Sequence, residues 1–277
     1  MNAPMSPKLM APQKIEFKLN DQTVMGFEGE SILNAAKRHG IHIPHLCYKE
    51  GLRADGNCRA CVVEIKGERT LAPSCCRNVM PGLEVLADSL RAKQSQKMVL
   101  ELLLSDMPDQ GYKWTSDGQH GELSDWAHQL GVAVRPELQA LRRQQPSSDV
   151  SHPAMAVNLD ACIQCKRCVT ACRDEQVNDV IGYAHRGSSS QIVFDLQDDM
   201  GNSTCVACGE CVQACPTGAL MPKSQVGSQV VDQKVDSVCP FCGVGCLLTY
   251  NIKDNKIVSV EGRDGPANHN RLCVKGR

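Results

Sequence analysis

Large aromatic side chains are scarce in these 277 residues, which hold two Trp, four Tyr and four Phe. One big aromatic core is therefore excluded, and two or three small modules are expected at roughly 100 to 150 residues each. A surplus of either charge is also missing. Thirty Lys and Arg face 31 Asp and Glu, for a net charge of -1, so there is no basic face for nucleic acid and no acidic tail. Long apolar runs are absent. The longest, near Met98–Leu104, falls far short of the ~20 residues of a membrane span. The Pro- and Lys-bearing start lacks the apolar stretch of a secretory signal. A cytoplasmic chain without a membrane span is expected. Neither a G-x-G-x-x-G nor a Walker sequence occurs, and no acid-base or nucleophile constellation stands out, so no catalytic residue is assigned.

What the chain has in excess is cysteine. There are seventeen, an odd number, in a chain with no export signal and too long to depend on staples. Both facts argue against a disulfide framework. Sixteen of the seventeen fall into four tetrads, which makes metal ligation the economical reading.

The central tetrads carry the strongest pattern. Cys162, Cys165, Cys168 and Cys172 follow C-x2-C-x2-C-x3-C, and Cys205, Cys208, Cys211 and Cys215 repeat it 43 positions later, ending in Pro216. Three closely spaced thiolates can wrap one face of a cubane, while the fourth, expected where a helix begins, points toward a second cubane. Ligation is thus expected to cross between the halves. Cys162, Cys165, Cys168 and Cys215 would hold one [4Fe-4S] cluster, and Cys205, Cys208, Cys211 and Cys172 the other. A zinc site would need C-x2-C pairs at separated positions instead of two identical runs. The run resembles the bacterial 2[4Fe-4S] ferredoxin module over about Ala154 to Pro222, except that Arg173 stands where Pro follows the fourth cysteine. Tyr183 to Asp195 reads as a hairpin insertion whose Gly-Ser-Ser-Ser tip is a turn.

The amino-terminal tetrad is Cys47, Cys58, Cys61 and Cys75. Lys14 to Leu19 and Thr23 to Phe27 alternate like strands, and Ser31 caps an apolar-periodic helix through His39 that stops at Gly40. Cys61 to Lys66 and Leu83 to Ala87 add two strands. A small mixed sheet crossed by one helix fits a β-grasp ferredoxin. Gly56, in the loop Ala54 to Cys61, lets backbone amides approach cluster sulfurs, which favours [2Fe-2S]. Four thiolates alone leave zinc open. The spacing is similar to the [2Fe-2S] domain of respiratory complex I large subunits, iron-only hydrogenases and NAD-linked formate dehydrogenases. On the residues alone Cys76 could replace its neighbour. The resemblance implies Cys75, leaving Cys76 as a small buried or solvent-limited thiol.

From Asp88 to Asp106, Leu90, Val99, Leu102 and Leu103 recur near helical spacing. In the relatives this helix leads into a His-x3-Cys-x2-Cys-x5-Cys loop holding another [4Fe-4S] cluster. Here the matching positions are Met107, Gly111, Trp114 and His120. The resemblance therefore implies that this cluster is absent while the helical scaffold, including Glu122 to Leu130, remains. His120 reads as a solvated side chain.

The last tetrad is Cys239, Cys242, Cys246 and Cys273, in CPFCGVGC and LCVKGR. Gly243 and Gly245 give the first loop its freedom, and Leu247 to Asn251 with Lys256 to Val260 read as a hairpin turning at Asp254-Asn255. Hairpin plus knuckle is also zinc architecture. The combination resembles the first domain of molybdopterin oxidoreductases, where it binds a [4Fe-4S] cluster. Lys275 matches the family lysine that lies between cluster and pterin, which makes it a cofactor-binding candidate.

Linkers are expected at Arg135 to Pro153 and Pro222 to Asp236. An α+β chain results, with a β-grasp [2Fe-2S] ferredoxin domain at 14–87 and a helical connector and linker at 88–153. A 2[4Fe-4S] ferredoxin domain follows at 154–222, then the start of a molybdopterin oxidoreductase [4Fe-4S] domain at 237–277. From about residue 14 onward the chain resembles the amino-terminal third of the alpha (large) subunit of molybdopterin-dependent, NAD-linked formate dehydrogenase. That resemblance implies one [2Fe-2S] and three [4Fe-4S] clusters. Molybdopterin, with Mo or W, would come only through a further domain or a separate molybdopterin-bearing chain. The implied partners are flavin/NAD-binding and small iron-sulfur subunits. The other open class is a non-catalytic iron-sulfur or zinc-binding regulatory protein.

Overall fold

The computed structural model describes residues 12–108, 121–139, 147–227 and 230–277. Two compact units result, one of residues up to His45 together with Ala54–Val99, the other of Leu46–Arg53 and Leu100–Arg277.

In the first unit, β1 (Lys14–Leu19) and β2 (Gln22–Phe27) form an antiparallel hairpin. Its two-residue turn, Asn20-Asp21, holds both residues at positive φ, 50° and 63°, the left-handed pair that such hairpins need and that Asn and Asp tolerate. Helix α1 (Ile32–Arg38) crosses next, with Ser31 at its N-cap accepting the Asn34 amide at 3.2 Å. Strands β3 (Val62–Ile65), β4 (Ala72–Pro73) and β5 (Glu84–Leu86) complete a sheet of order β2-β1-β5-β3-β4, with β5 parallel to β1. This is the expected β-grasp. Alternation buries Phe17, Leu19 and Val24 from the hairpin, while α1 buries Ile32, Leu33, Ala35 and Ala36.

Helix α2 (Leu90–Ser105) matches the periodic segment after this sheet. Gln96 is buried there because its amide donates to the Val62 carbonyl at 2.9 Å. The expected scaffold helix is α3 (Glu122–Leu130), closed by Gly131 in the left-handed region. A single helical turn, α4 (Pro136–Gln139), follows. Met107 is buried. The other positions compared with the missing cluster loop, Gly111, Trp114 and His120, lie outside the described residues.

The duplicated cysteine module lies within the second unit. Strand β6 (Met155–Val157) pairs with β9 (Leu220–Pro222), so the ends of the repeat meet. Between them come α5 (Arg167–Thr170), the hairpin β7 (Ile181–Ala184) and β8 (Gln191–Phe194), and α6 (Glu210–Ala214). The hairpin tip Gly187–Ser189 is one 3-10 turn. Met155, Val157, Val180, Ile181, Ile192, Phe194, Met200 and Leu220 form the core together with cysteines of both repeats. The expected linker before this module ends inside it. Asp149 exchanges two backbone hydrogen bonds of 2.9 Å with Val157, and its carboxylate accepts the Met200 amide at 2.7 Å.

The last part of the second unit is a meander, β10 (Gln233–Val238), β11 (Leu247–Lys253) and β12 (Lys256–Gly262). Its tip Asp254-Asn255 again holds two residues at positive φ. Gln233 to Asp236, read from composition as linker, is strand. Its pattern is polar because β10 is an edge strand with little burial, and the backbone ladder to β11 holds it instead.

Ser31→Ala removes the cap of α1 and should cost about 1 kcal/mol of local stability. Amide hydrogen exchange in α1 checks this, and unchanged protection would show that the cap contributes nothing.

Candidate metal centres

The repeat of 43 residues is visible in the backbone. Gln164 and Lys166 stand at φ 56° and 66°, and their counterparts Ala207 and Gly209 at 58° and 75°. Left-handed residues between the cysteines turn successive amides inward, the geometry by which a loop cradles negative charge. Thus the Ala207 amide donates to Cys205 Sγ at 3.4 Å.

The structure gathers the eight central cysteines into two groups. Cys162, Cys165, Cys168 and Cys215 line one site with Ile163, Ile192 and Leu220. Cys172, Cys205, Cys208 and Cys211 line another with Val180, Ile181, Phe194 and Met200. Each group takes three cysteines from one repeat and the fourth from the other. Neither fourth cysteine begins a helix as expected, because each helix already starts inside its cysteine loop, at Arg167 and at Glu210. Cys172 lies within a helical run, in the π-helical turn Ala171–Glu175 that continues α5, and Cys215 is the C-cap of α6.

Burial pushes the Cys165, Cys168 and Cys211 thiols well above the ordinary value, and neighbouring thiols push further. A thiolate is stable in such a place only beside compensating positive charge. The donor set fits an iron-sulfur cluster: four soft sulfur donors in each group and an apolar wall.

Arg167 lies between Cys165 and Cys168 and is 2% exposed. Its guanidinium makes a forked pair with Glu122 of α3, both contacts at 2.7 Å, and also donates to the Tyr48 and Ala214 carbonyls. Burial opposes its charge, but the Glu122 carboxylate outweighs this and raises its pKa. Lys49 donates to the Gln213 carbonyl, and Leu52 packs with Ala171 and Ala214. The segment Leu46–Arg53 is thereby tied to the ferredoxin module. No sequence signal separated Arg167 from a solvated loop arginine; only its three-way contact does.

In the first unit Cys61 and Cys75 are buried and Cys58 half-buried. The β3–β4 register sets Cys61 beside Ser74, whose amide and hydroxyl both donate to the Cys61 carbonyl. The Ala60 amide donates to Cys58 Sγ at 3.5 Å. Gly56 is at φ 60°, and a Cβ there would stand 3.0 Å from Cys76 Sγ. Cys76 is exposed, not solvent-limited as expected, although its Sγ lies 3.6 Å from that of buried Cys75 in the same turn. Cys47 is buried and falls in the segment that clusters with the second unit.

Near the C-terminus, Cys239 packs with Leu248, Leu272 and Cys246, and its amide donates to the Cys246 carbonyl at 2.8 Å. Cys242 and Cys273 are exposed, as is Lys275. Among the described residues no helix is long and apolar enough to cross a membrane.

Comparison with known proteins agrees with this array. The chain matches the model of a 2Fe-2S iron-sulfur cluster binding domain over residues 12–89, a 4Fe-4S dicluster domain over 161–219 and a molybdopterin oxidoreductase Fe4S4 domain over 232–277. It is therefore a multi-domain iron-sulfur module with these three domains in this order. Among curated relatives it is 30% identical over 267 residues to an NADH-quinone oxidoreductase subunit of Rhizobium meliloti (strain 1021), covering 95% of this chain and 31% of that one. It is 36% identical over 203 residues to an NADP-reducing hydrogenase subunit, HndD, of Solidesulfovibrio fructosivorans, covering 70% and 34%. A Staphylococcus haemolyticus (strain JCSC1435) protein with a provisional formate dehydrogenase assignment is 26% identical over 291 residues, covering 90% and 29%. The chain thus spans about a third of the length of these relatives. Among solved structures, one chain from an NAD+-reducing [NiFe]-hydrogenase in the H2-reduced state aligns with TM-score 0.67 and 25% identity, over 79% of this chain and 92% of that one.

Two outcomes test this geometry. Glu122→Gln should lower stability by roughly 1–3 kcal/mol, below the cost of breaking a fully buried pair because Glu122 is partly exposed; a urea midpoint equal to the parent's would contradict it. Under anaerobic alkylation at pH 8, Cys76, exposed and outside the four tetrads, should react before Cys165, Cys168 and Cys211, since burial hides these and their raised pKa values lower the thiolate fraction. Equal labelling by mass spectrometry would show that the buried set is not buried.

Proposed function

We propose that this chain is the iron-sulfur relay of a formate dehydrogenase alpha subunit. It would carry electrons between a molybdopterin site outside the chain and a flavin/NAD-reducing partner, in the cytoplasm. The observation that carries the reading is the gathering of eight thiols into two apolar, cross-repeat groups. Such groups are suited to holding two redox centres at a fixed separation. The hydrogenase and NADH-quinone oxidoreductase relatives support an NAD(P)-linked partner. The formate assignment rests on CPFCGVGC and LCVKGR and on the provisional staphylococcal relative.

The proposed ligands are Cys47, Cys58, Cys61 and Cys75 for one [2Fe-2S], and three tetrads for [4Fe-4S] clusters. These are Cys162/165/168/215, Cys172/205/208/211 and Cys239/242/246/273, and the domains are proposed at 14–87, 88–153, 154–222 and 237–277. When bound, the clusters supply reversible one-electron acceptance over a wide span of potentials, roughly -700 to +450 mV across such centres. The chain's own residues do the rest. Thiolates fix position, the inward amides of the cysteine loops stabilise charge on sulfur, and Ile192, Phe194 and Met200 exclude water. Lys275, exposed beside the last cysteine, is proposed to face the pterin of the further domain, and its exposure supports that role.

Anaerobic material should contain about 14 iron and as much acid-labile sulfide per chain, and show reduced [4Fe-4S] signals by low-temperature EPR. Cys162→Ser and Cys215→Ser should disturb the same signal, and Cys172→Ser that of Cys205→Ser. Colourless, zinc-bearing protein would end the proposal, and disturbance grouped by repeat would end the crossed assignment.

A further inference from the structure

Arg277 reaches across the second unit from the last turn of the described chain. One guanidinium nitrogen donates to the Gly209 carbonyl at 2.9 Å and the other to the Leu272 carbonyl at 2.7 Å. Gly209 directly follows Cys208, and Leu272 directly precedes Cys273. A single cation is thus bonded to the backbone beside a cysteine of each of two proposed centres. The fit requires a glycine. Gly209 stands at φ 75°, and a Cβ there would lie 2.7 Å from the guanidinium carbon. Arg277 Nε is buried without a hydrogen-bond partner. Among the described residues no carboxylate pairs with it directly. Glu210, the nearest acid to act on it, is engaged by Arg271 Nε at 3.5 Å and by Gln213 at 2.9 Å. Burial pulls the guanidinium below the ordinary arginine value, while Glu210 and the thiols of Cys211, Cys208 and Cys273 pull the other way. Arginine remains charged under such a balance.

A fixed positive charge in a low-dielectric site favours whichever state of a neighbour is more negative. Reduction adds one electron to an iron-sulfur centre and forms or breaks no bond, so the reduced state is the one favoured. We propose that Arg277 is a positioning residue that links the Cys172/205/208/211 centre to the Cys239/242/246/273 centre and raises the midpoint potential of both. This rests on the cluster assignment above. The cation shifts the two potentials in the same direction, so the difference between them is preserved, and its two carbonyl bonds fix their separation. Lys275, two positions earlier and exposed, is left for the opposite side of the last centre.

The test is an EPR-monitored redox titration of the anaerobic full chain carrying R277Q, R277M or R277K, with iron and sulfide measured on each. With dithionite as reductant, R277Q and R277M should change the reduced-to-oxidised ratio of those two centres about tenfold at fixed potential, or 59 mV downward for one electron. R277K should restore most of the shift. The Cys162/165/168/215 centre should stay where it was, and K256Q, an exposed charge removal on β12, should move nothing. Unshifted potentials in R277Q and R277M, or loss of iron in all three variants, would overturn the inference, the second by making Arg277 a purely structural residue. A parent chain without acid-labile sulfide would instead overturn the cluster assignment itself.

Discussion

Everything in the cysteine module of the second unit depends on one conflict: sulfur donors must be taken out of water, yet burial among apolar side chains opposes the thiolate form that a metal needs. The backbone answers it in part: left-handed residues within each cysteine loop turn amides toward sulfur, as Ala207 does toward Cys205, and the β6–β9 pair holds the ends of the repeat together. The raised pKa values of Cys165, Cys168 and Cys211 are the electrostatic face of that conflict.

Charge is handled with the same economy. In an almost neutral chain, the two arginines placed deepest near cysteines are used as ties instead of as surface charge. Arg167 binds α3, the Tyr48 carbonyl and the end of α6 to the first repeat. Arg277 ties the second repeat to the last loop. Arginine suits both places because its planar fork satisfies several carbonyl or carboxylate oxygens at once, where a lysine would offer a point charge. The exposed salt bridges, such as Lys66 with Glu84, belong to a different category and contribute little.

The chain spans about a third of its curated relatives, and those relatives are named for quinone, hydrogen and formate chemistry. That spread is physically sensible for an electron-transfer module. Such a module contributes spacing, insulation and potential, none of which depends on the substrate.

The sequence by itself determined the cysteine tetrads, the duplication at 43 residues, the β-grasp order and most element positions. These follow from local rules: ligand spacing along a loop, period-two alternation, a Ser cap and Asn or Asp in tight turns. Tertiary structure decided what those rules do not reach. Strand β10 escaped notice because an edge strand held by backbone bonds need not be apolar. The fourth cysteines do not begin helices, because α5 and α6 already start inside the cysteine loops, at Arg167 and Glu210. Cys76 is exposed although its Sγ touches that of buried Cys75, a distinction between adjacent identical residues that only the fold makes. The roles of Arg167 and Arg277 were invisible because an arginine in a polar loop and a buried arginine tie are written with the same letter, and only the partners brought from distant sequence tell them apart.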